Sequence, residues 1–196
     1  MSKKLEDDIK RQFKNKIILI SGGTGSIGTG IVKQLLQCKP KMIKILTNDE
    51  NSIFESRKLL GEISQIKYIV GDIRDNDRLR LAMRNVNIVF HAAAMKHIDL
   101  METNPIAGCN INVMGSLNVV HASLINDVPI TIGVSTDKAC MAESVYGASK
   151  YLMERVFMNT NTDENRFALT RFANVAHSAG SVLPFWLKLY EQKKPL

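Results

Sequence analysis

The feature that most constrains the fold is a short apolar run that ends in a glycine-rich turn and continues into a helical pattern. Residues 16–21, KIILIS, lead directly into GGTGSIG at 22–28. In such a turn the first glycine permits the bend, the second lets the backbone approach a pyrophosphate, and the third lets the helix pack on the strand. The N–H groups of the first helical turn then face the phosphates. We therefore predict a dinucleotide cofactor held by Gly22, Thr24, Gly25, Ser26, Ile27 and Gly28.

Apolar runs of strand length alternate with stretches of helical period along the chain. The runs are short, continuous and rich in Ile and Val, which is typical of parallel strands covered on both faces by crossover helices. The sequence therefore predicts an α/β fold, a doubly wound parallel sheet of Rossmann type. The predicted strands are 16–21, 42–47, 66–70, 86–91, 129–135 and 167–172, and the predicted helices are 26–37, 51–62, 75–83, 104–125 and 145–158. The helix 104–125 begins with Asn104 as a candidate N-cap and Pro105 at its first position.

Chain length and composition favour one globular domain. With 196 residues, 45% of them apolar and 23% charged, the chain can bury a core of its own. Residues 1–16 form a polar, Lys-rich extension without the apolar centre of a signal peptide, and 17–196 form the cofactor-binding domain. No apolar run has the roughly 18 to 20 residues of a membrane span, so we expect a cytoplasmic protein.

The formal net charge of +7 does not by itself indicate a nucleic-acid partner. The excess lysines and arginines lie in scattered clusters near the ends and loops, without the interleaved aromatic residues of a strand-binding surface. Phosphorylated small ligands explain the charge more simply. The three cysteines, Cys38, Cys109 and Cys140, fit neither a disulfide framework nor a zinc site, and we expect no bound metal.

The end of the second predicted strand bears on the choice between NAD and NADP. An acid at this place hydrogen-bonds the ribose 2′-hydroxyl, whereas a base accommodates a 2′-phosphate. Here the strand ends in Thr47, Asn48 and Asp49, which supply an acid slightly late and no arginine. We expect these three residues to contact the cofactor, and the sequence leaves NADP and NAD both open.

Two further strand ends are candidates for cofactor contact. Asp72 and Ile73 follow the third strand, where a carboxylate can accept from the adenine amino group; the alternative is a turn aspartate that caps the next helix. Ala92 and Ala93 follow the fourth strand and are small enough for backbone to lie against the cofactor. His91 is expected to be a packed strand residue and not a catalyst.

Tyr146 and Lys150 are four residues apart in a predicted helix, so both side chains lie on one face. A nearby ammonium and an oxidised nicotinamide favour the phenolate form of a tyrosine, whose ordinary pKa is about 10. Tyr146 is therefore a candidate general base for a sugar hydroxyl, and both residues are candidate catalytic and cofactor-binding groups.

The segment Thr136-Asp137-Lys138 leaves the fifth predicted strand at its carboxyl end, where doubly wound folds place reactive groups. Thr136 is therefore a candidate catalytic residue that supplies a hydroxyl at this strand end. Removal of water across C5 and C6 of a 4-keto sugar requires an acid for the leaving hydroxyl and a base for the C5 proton. A protonated Asp137 and a neutral Lys138 fit those roles, with a loop salt bridge as the alternative.

Together, seven motifs resemble those of the extended short-chain dehydrogenase/reductases, and among them the CapD-like nucleotide-sugar 4,6-dehydratases that act on UDP-N-acetylglucosamine. The resemblance spans about 16–184. The motifs are GGTGSIG at 22–28, GDIRD at 71–75, HAAAMKHIDLMETNP at 91–105, NVMGSLNV at 112–119, STDKA at 135–139, YGASK at 146–150 and RFANV at 171–175. The similar dTDP-glucose dehydratases have Thr-Asp-Glu where this chain has Thr-Asp-Lys, so Lys138 favours the UDP-N-acetylglucosamine group.

The resemblance implies a role for each candidate residue. Tyr146 would take the proton of the 4-hydroxyl, Lys150 would hold the nicotinamide ribose, and Asp137 with Lys138 would drive the loss of water. It also implies further contacts, with Lys96 reaching cofactor and substrate, Ser135 the cofactor and Asn174 the nucleotide sugar. The implied pathway is the synthesis of surface polysaccharide or nonulosonic acid.

The resemblance leaves several points open. Asn48 stands where many members have an arginine that favours NADP, and members continue beyond this length, so 17–196 would contain only part of the substrate-binding region. The resemblance further implies a homo-oligomer formed through the helices 104–125 and 145–158. Two alternatives remain, a nucleotide-sugar 4-epimerase or reductase and a non-catalytic NAD(P)-binding module. The configuration at C5 is not fixed by the sequence.

Overall fold

The structure is a computed structural model that describes residues 3–176, 178 and 182–193. The first two residues of the predicted extension 1–16 and the last three residues of the predicted domain 17–196 lie outside the described residues. The strands are β1 Ile17–Ser21, β2 Met42–Thr47, β3 Ile66–Val70, β4 Ile88–His91, β5 Ile130–Thr136 and β6 Arg166–Phe172. The helices are α1 Lys3–Phe13, α2 Ser26–Leu36, α3 Glu50–Leu60, α4 Asn76–Ala82, α5 Ile98–Thr103, α6 Pro105–Cys109, α7 Gly115–Ile125, α8 Val145–Asn159 and α9 Val182–Glu191.

The six strands form one parallel sheet in the order β3-β2-β1-β4-β5-β6. The direction of winding reverses between β1 and β4, and Ser21 at the end of β1 is in register with Leu46 on one side and His91 on the other. A crevice opens at such a reversal, outside the carboxyl ends of the strands. The predicted doubly wound Rossmann sheet is therefore confirmed, and its strand order places a crevice at the carboxyl ends of β1 and β4.

Helices cover both faces of the sheet, which explains the unbroken apolar runs. From β1, Leu19 belongs to a core built with α4, α7 and α8, whereas Ile18 and Ile20 belong to a second core built with α2. All three side chains are fully buried. The edge strands differ, because Val70 in β3 and Phe172 in β6 are exposed. The prediction that the strands are buried on both faces is thus correct for the central strands and wrong for the two edge strands.

The predicted helix 104–125 is divided in the structure. Between α6 and α7 lies a π-helical turn, Asn110–Met114, and the short helix α5 precedes them without having been predicted. Pro105 is the first residue of α6, as expected. Asn104 does not cap with its side chain, however, because its Nδ2 donates back to Leu100 O and Thr103 Oγ1, each at 3.0 Å.

The extension before β1 is helical over α1, and Phe13 at its end packs against Phe90 of β4 with ring centroids 6.1 Å apart. Among the helices that the structure describes, none is both long and apolar enough to cross a membrane.

Candidate active site

The glycine turn follows β1 and has the geometry that its sequence predicts. Gly22 has φ +68°, and a Cβ at this position would lie 2.7 Å from Ala93 N, so backbone from β1 and β4 meets here without room for a side chain. A Cβ on Gly28 would overlap Gly22 O, which accounts for the close packing of α2 on the turn. Gly25 is the N-cap of α2 and leaves the helix start open to the cleft.

A cleft of about 930 Å³ lies along the carboxyl ends of the strands and collects nearly all of the predicted site residues. Its described lining includes both halves of the sheet, as expected for a crevice at the strand reversal. The predicted residues that line it are Gly22, Thr24, Gly25, Ser26, Ile27, Gly28, Thr47, Asn48, Asp72, Ile73, Ala92, Ala93, Lys96, Ser135, Thr136, Lys138, Tyr146, Lys150 and Asn174. Asp49 and Asp137 are not part of the lining.

Asp49 serves the start of α3 instead of the cleft. Its Oδ1 accepts from Asn51 N at 3.0 Å, because the first N–H groups of a helix need acceptors and an aspartate at the N-cap supplies one. Asn48 turns toward β3, where its Nδ2 donates to Asp72 Oδ2 at 3.1 Å. In this structure the Asp49 carboxylate is used at the start of α3 and does not line the cleft, which argues against the expected ribose contact.

Asp72 lines the cleft as an ionised carboxylate. Its Oδ1 accepts from the Arg74 backbone N–H at 2.8 Å, and Arg74 Nη2 donates to its Oδ2 at 2.7 Å. The side-chain hydrogen bond from Arg74 is the largest cause that holds the pKa of Asp72 at about 2. The alternative that Asp72 caps the next helix is wrong, since Asp75 caps α4 by accepting from Arg78 N.

His91 is 1% exposed and links β1, β4 and α7 through a defined chain of hydrogen bonds. Ser116 Oγ donates to Asn112 O at 2.5 Å, so it must accept from His91 Nε2–H at 3.0 Å. His91 Nδ1 then accepts from the Ser21 hydroxyl at 2.7 Å. Burial, with the charge of Lys150 adding to it, lowers the pKa of His91 to about 3. The expectation of a packed, non-catalytic histidine agrees with this neutral ring.

Asn112 in the π-helical turn fixes the loop that carries Lys96, and sequence reasoning assigned it no role. Its Oδ1 accepts from Met95 N at 2.8 Å, and its Nδ2 donates to Met95 O at 2.9 Å and to Ser149 Oγ at 3.0 Å. One buried amide therefore joins the β4 loop to α8. The motif NVMGSLNV contained this residue, but nothing in the local pattern indicated a π-helical turn.

Tyr146 and Lys150 both reach the cleft from α8, whose N-cap Ser144 accepts from Gly147 N at 3.0 Å. Lys150 is 3% exposed, and its burial lowers its pKa to about 8 while the charge of Glu154 acts in the opposite direction. The pKa of Tyr146 is raised, chiefly by burial, and a hydrogen bond with Thr136 opposes that effect. The protein alone therefore does not lower the pKa of Tyr146 as expected.

Asp137 and Lys138 form the 3₁₀ turn that follows β5, and they are joined as an ion pair. Lys138 Nζ lies 3.4 Å from Asp137 Oδ1 and donates to Asn174 Oδ1 at 3.1 Å, while Thr136 Oγ1 donates to Asp137 Oδ1 at 2.9 Å. The pKa of Asp137 is lowered, first by the Thr136 hydrogen bond, and its side chain is 51% exposed. The expected buried, protonated Asp137 is thus wrong here, whereas Lys138 and Asn174 both line the cleft and are hydrogen-bonded to each other, a contact that was not predicted.

Glu154 is a buried acid next to the site that sequence reasoning did not single out. Its Oε1 accepts from Ser135 Oγ at 2.6 Å, and Arg171 binds both of its oxygens. The available signal was its spacing, because Glu154 lies one helical turn beyond Lys150 on the same face of α8.

Comparison with known proteins is consistent with this geometry. The chain is 43% identical over 185 residues to a UDP-N-acetylglucosamine 4,6-dehydratase (inverting) from Campylobacter jejuni strain 81-176, covering 92% of this chain and 55% of the relative. It is 37% identical over 193 residues to a UDP-glucose 4-epimerase from Rickettsia bellii, covering 94% of this chain and 56% of the relative. The chain spans about half the length of these curated relatives.

Solved structures and a family match extend the comparison. The X-ray structure of Pen from Bacillus thuringiensis superimposes with a TM-score of 0.88 at 35% identity, covering 92% of this chain and 58% of that one. The family described as polysaccharide biosynthesis protein matches residues 18–196, which include the glycine turn, the Asp137–Lys138 pair and the Tyr146–Lys150 pair. On this match the chain belongs to the polysaccharide biosynthesis protein family.

Proposed function

We propose that this chain carries the cofactor site and the catalytic groups of a nucleotide-sugar 4,6-dehydratase that acts on UDP-N-acetylglucosamine in surface polysaccharide or nonulosonic acid synthesis. The observation that carries the proposal is the placement of Lys138, paired with Asp137 and hydrogen-bonded to Asn174, in the same cleft as Tyr146 and Lys150. Oxidation of a sugar hydroxyl needs only the second pair. The first pair supplies the additional acid and base that dehydration requires.

A nicotinamide dinucleotide, NADP or NAD, fits the observed cleft. The open start of α2 presents N–H groups toward the lining, which suits a pyrophosphate. Ala92 and Ala93 keep the β4 side of the turn free of bulky side chains. Asp49 caps α3 and is not part of the cleft lining, so this carboxylate does not select between NADP and NAD.

The redox steps depend on Tyr146, Thr136 and Lys150. A bound nicotinamide would accept a hydride from C4 of the sugar and return it to C6. Tyr146 takes the proton of the 4-hydroxyl, and Thr136, hydrogen-bonded to Tyr146, holds that hydroxyl in reach. Lys150 provides a positive charge that favours the Tyr146 phenolate. Its pKa of about 8 leaves it mostly protonated at neutral pH.

The elimination depends on Asp137 and Lys138. Once C4 is a ketone, the C5 proton is acidic, and a neutral Lys138 takes it while Asp137 gives a proton to the departing 6-hydroxyl. Lys138 later returns a proton to C5, and the proton gained by Tyr146 balances the one lost by Asp137. In the exposed ion pair Asp137 is ionised and Lys138 carries the proton, so a sugar bound over the pair must exclude water and let this proton pass from Lys138 Nζ to Asp137 before the elimination. The net change is the loss of one water.

The test is the mass of the product. We expect the chain, loaded with NADP or NAD, to convert UDP-N-acetylglucosamine into a product lighter by one water. Lys138→Ala should abolish this change while cofactor affinity, measured by calorimetry, stays the same. Lys58→Ala, at an exposed lysine of α3, is the matched control and should leave turnover unchanged. Unaltered substrate from folded, cofactor-loaded protein, or dehydration by Lys138→Ala, would contradict the proposal.

A 4-epimerase is the second candidate, because the Rickettsia bellii relative bears that name. Its product has the mass of the substrate, so the same experiment separates the two reactions. A third outcome, cofactor binding without turnover, would identify a binding module and is motivated by the half-length coverage of the relatives.

We also propose that copies of the chain associate through α6, α7 and α8. These helices carry exposed apolar side chains that a partner copy would bury, namely Ile106, Ile125, Tyr151, Leu152 and Met158. Light scattering of the purified chain tests this, with Ile106→Asp expected to give a smaller species and an unaltered monomer mass in both proteins as the contrary result.

A further inference from the structure

We propose, building on the dehydratase function above, that Glu154 is a positioning residue of the active site, whose carboxylate acts through Lys150 and Ser135. It keeps the buried Lys150 ammonium charged and ties the ends of β5 and β6 to α8. Nothing in the reaction requires Glu154 to touch cofactor or substrate. Its effect is on the groups that do.

The contacts of Glu154 form a closed network beneath the cleft. Ser135 Oγ donates to Oε1 at 2.6 Å, Arg171 Nε donates to the same oxygen at 2.8 Å, and Arg171 Nη2 donates to Oε2 at 2.6 Å. Glu154 is itself 3% exposed. A buried carboxylate with a bidentate arginine and a hydroxyl is held in one orientation. The network thereby joins the end of β5, the end of β6 and the middle of α8.

Lys150 needs a nearby negative charge because it is buried to the same degree as Glu154. Its Nζ donates to the Met153 sulfur at 3.3 Å, a neutral and weak acceptor. Glu154 lies one helical turn further along the same face of α8. A carboxylate at this spacing favours the ammonium, whereas burial alone favours the neutral amine.

Among the described residues, the other titratable groups around Lys150 do not supply that charge. His91 on β4 is neutral, and burial keeps the Tyr146 hydroxyl protonated. Asp137, after β5, is half exposed and paired with Lys138. Glu102 of α5 accepts from Val145 N at 2.8 Å, one turn before Lys150 in α8, and is exposed. Glu154 is therefore the acid placed to act on Lys150, and Arg171 is the cation that moderates it.

Two substitutions have opposite expected effects. Glu154→Gln removes the carboxylate charge and leaves Arg171 unneutralised, so the Lys150 ammonium loses its support. Arg171→Met removes the moderating cation and leaves the carboxylate to act fully. We expect the alkaline limb of the rate profile to move down by about one pH unit in Glu154→Gln and upward in Arg171→Met. Glu164→Gln, at an exposed acid away from the cleft, is the control and should move neither limb.

A double-mutant cycle supplies a readout that does not depend on catalysis. At pH 7, Glu154→Gln should lower the urea midpoint more when residue 150 is lysine than in the Lys150→Met background. Equal losses in the two backgrounds, together with an unmoved alkaline limb, would overturn the proposal. Should Glu154→Gln fail to fold, Arg171→Met carries the same comparison. It should raise the limb, and an unmoved limb in Arg171→Met overturns the role.

The cycle also separates this inference from the proposed function. Coupling between positions 150 and 154 without loss of water from UDP-N-acetylglucosamine would support the Glu154 network and reject the reaction. Dehydration without coupling would support the reaction and reject the network.

Discussion

Replacing Lys150 with methionine removes a charge that the fold keeps 3% exposed. Methionine has a similar length, no charge and a flexible stem, and it enters a site that already contains the sulfur of Met153. The change removes the proposed support for the Tyr146 phenolate, so catalysis should be lost. The free energy of unfolding, in contrast, should increase.

The expected gain follows from the pKa of the buried ammonium. Burial lowers the pKa of Lys150 from its ordinary 10.5 to about 8, which corresponds to about 3 kcal/mol. The folded chain binds this proton more weakly than the unfolded chain, so the penalty is complete below pH 8. It declines as the pH rises from about 8 to 10.5 and is absent above that range. Lys150→Met should therefore be more stable than the original chain by about 3 kcal/mol at pH 7, with a smaller difference at pH 10.

Urea denaturation at pH 7 and pH 10 tests this, since urea adds no ionic screening. Lys138→Met is the matched control, because the Lys138 side chain is 37% exposed and its loss should change the free energy of unfolding by less than about 0.5 kcal/mol. The reasoning is refuted if Lys150→Met is no more stable than the original chain at pH 7, or if its advantage is the same at pH 10.

Three further substitutions test other parts of the site. His91→Leu should remove a loss of stability between pH 6.5 and about 3, because the folded chain binds the His91 proton more weakly; acid titration by circular dichroism measures it, and an unchanged acid limb contradicts it. Gly22→Ala should lower both stability and cofactor affinity, since φ is +68° and the new Cβ would meet Ala93 N; normal calorimetric affinity argues against this geometry. Asp49→Ala should lower the free energy of unfolding by about 1 kcal/mol, because a helix cap is lost, and should leave cofactor affinity unchanged. Weaker NAD binding by this variant would instead support a contact between Asp49 and the ribose.

The fold was predictable to a large extent because strong local patterns agree with it. All six strands are present, each within two residues of its predicted ends, and the glycine turn predicted the edge of the sheet at which the cleft lies. The π-helical turn was not predictable. It depends on Asn112 reaching Met95 and Ser149, contacts between segments that are distant in the chain.

The site was predictable in position but not in ionisation. Spacing placed Tyr146, Lys150 and Lys138 at one cleft, whereas the pKa values depend on burial and on partners from other elements. Asp137 was expected to be buried and is half exposed beside Lys138. The network of Glu154 likewise depends on Arg171 from the neighbouring strand, which helix periodicity alone does not reveal.

The measurement that tests the central claim most directly is the fate of hydrogen when the cofactor-loaded chain acts on UDP-N-acetylglucosamine in D₂O. Dehydration through Asp137 and Lys138 predicts a product that has lost one water, carries one solvent deuterium at C5, and retains at C6 a label placed at C4 of the substrate. A product of unchanged mass without deuterium at C5, inverted at C4 or not, would contradict the account.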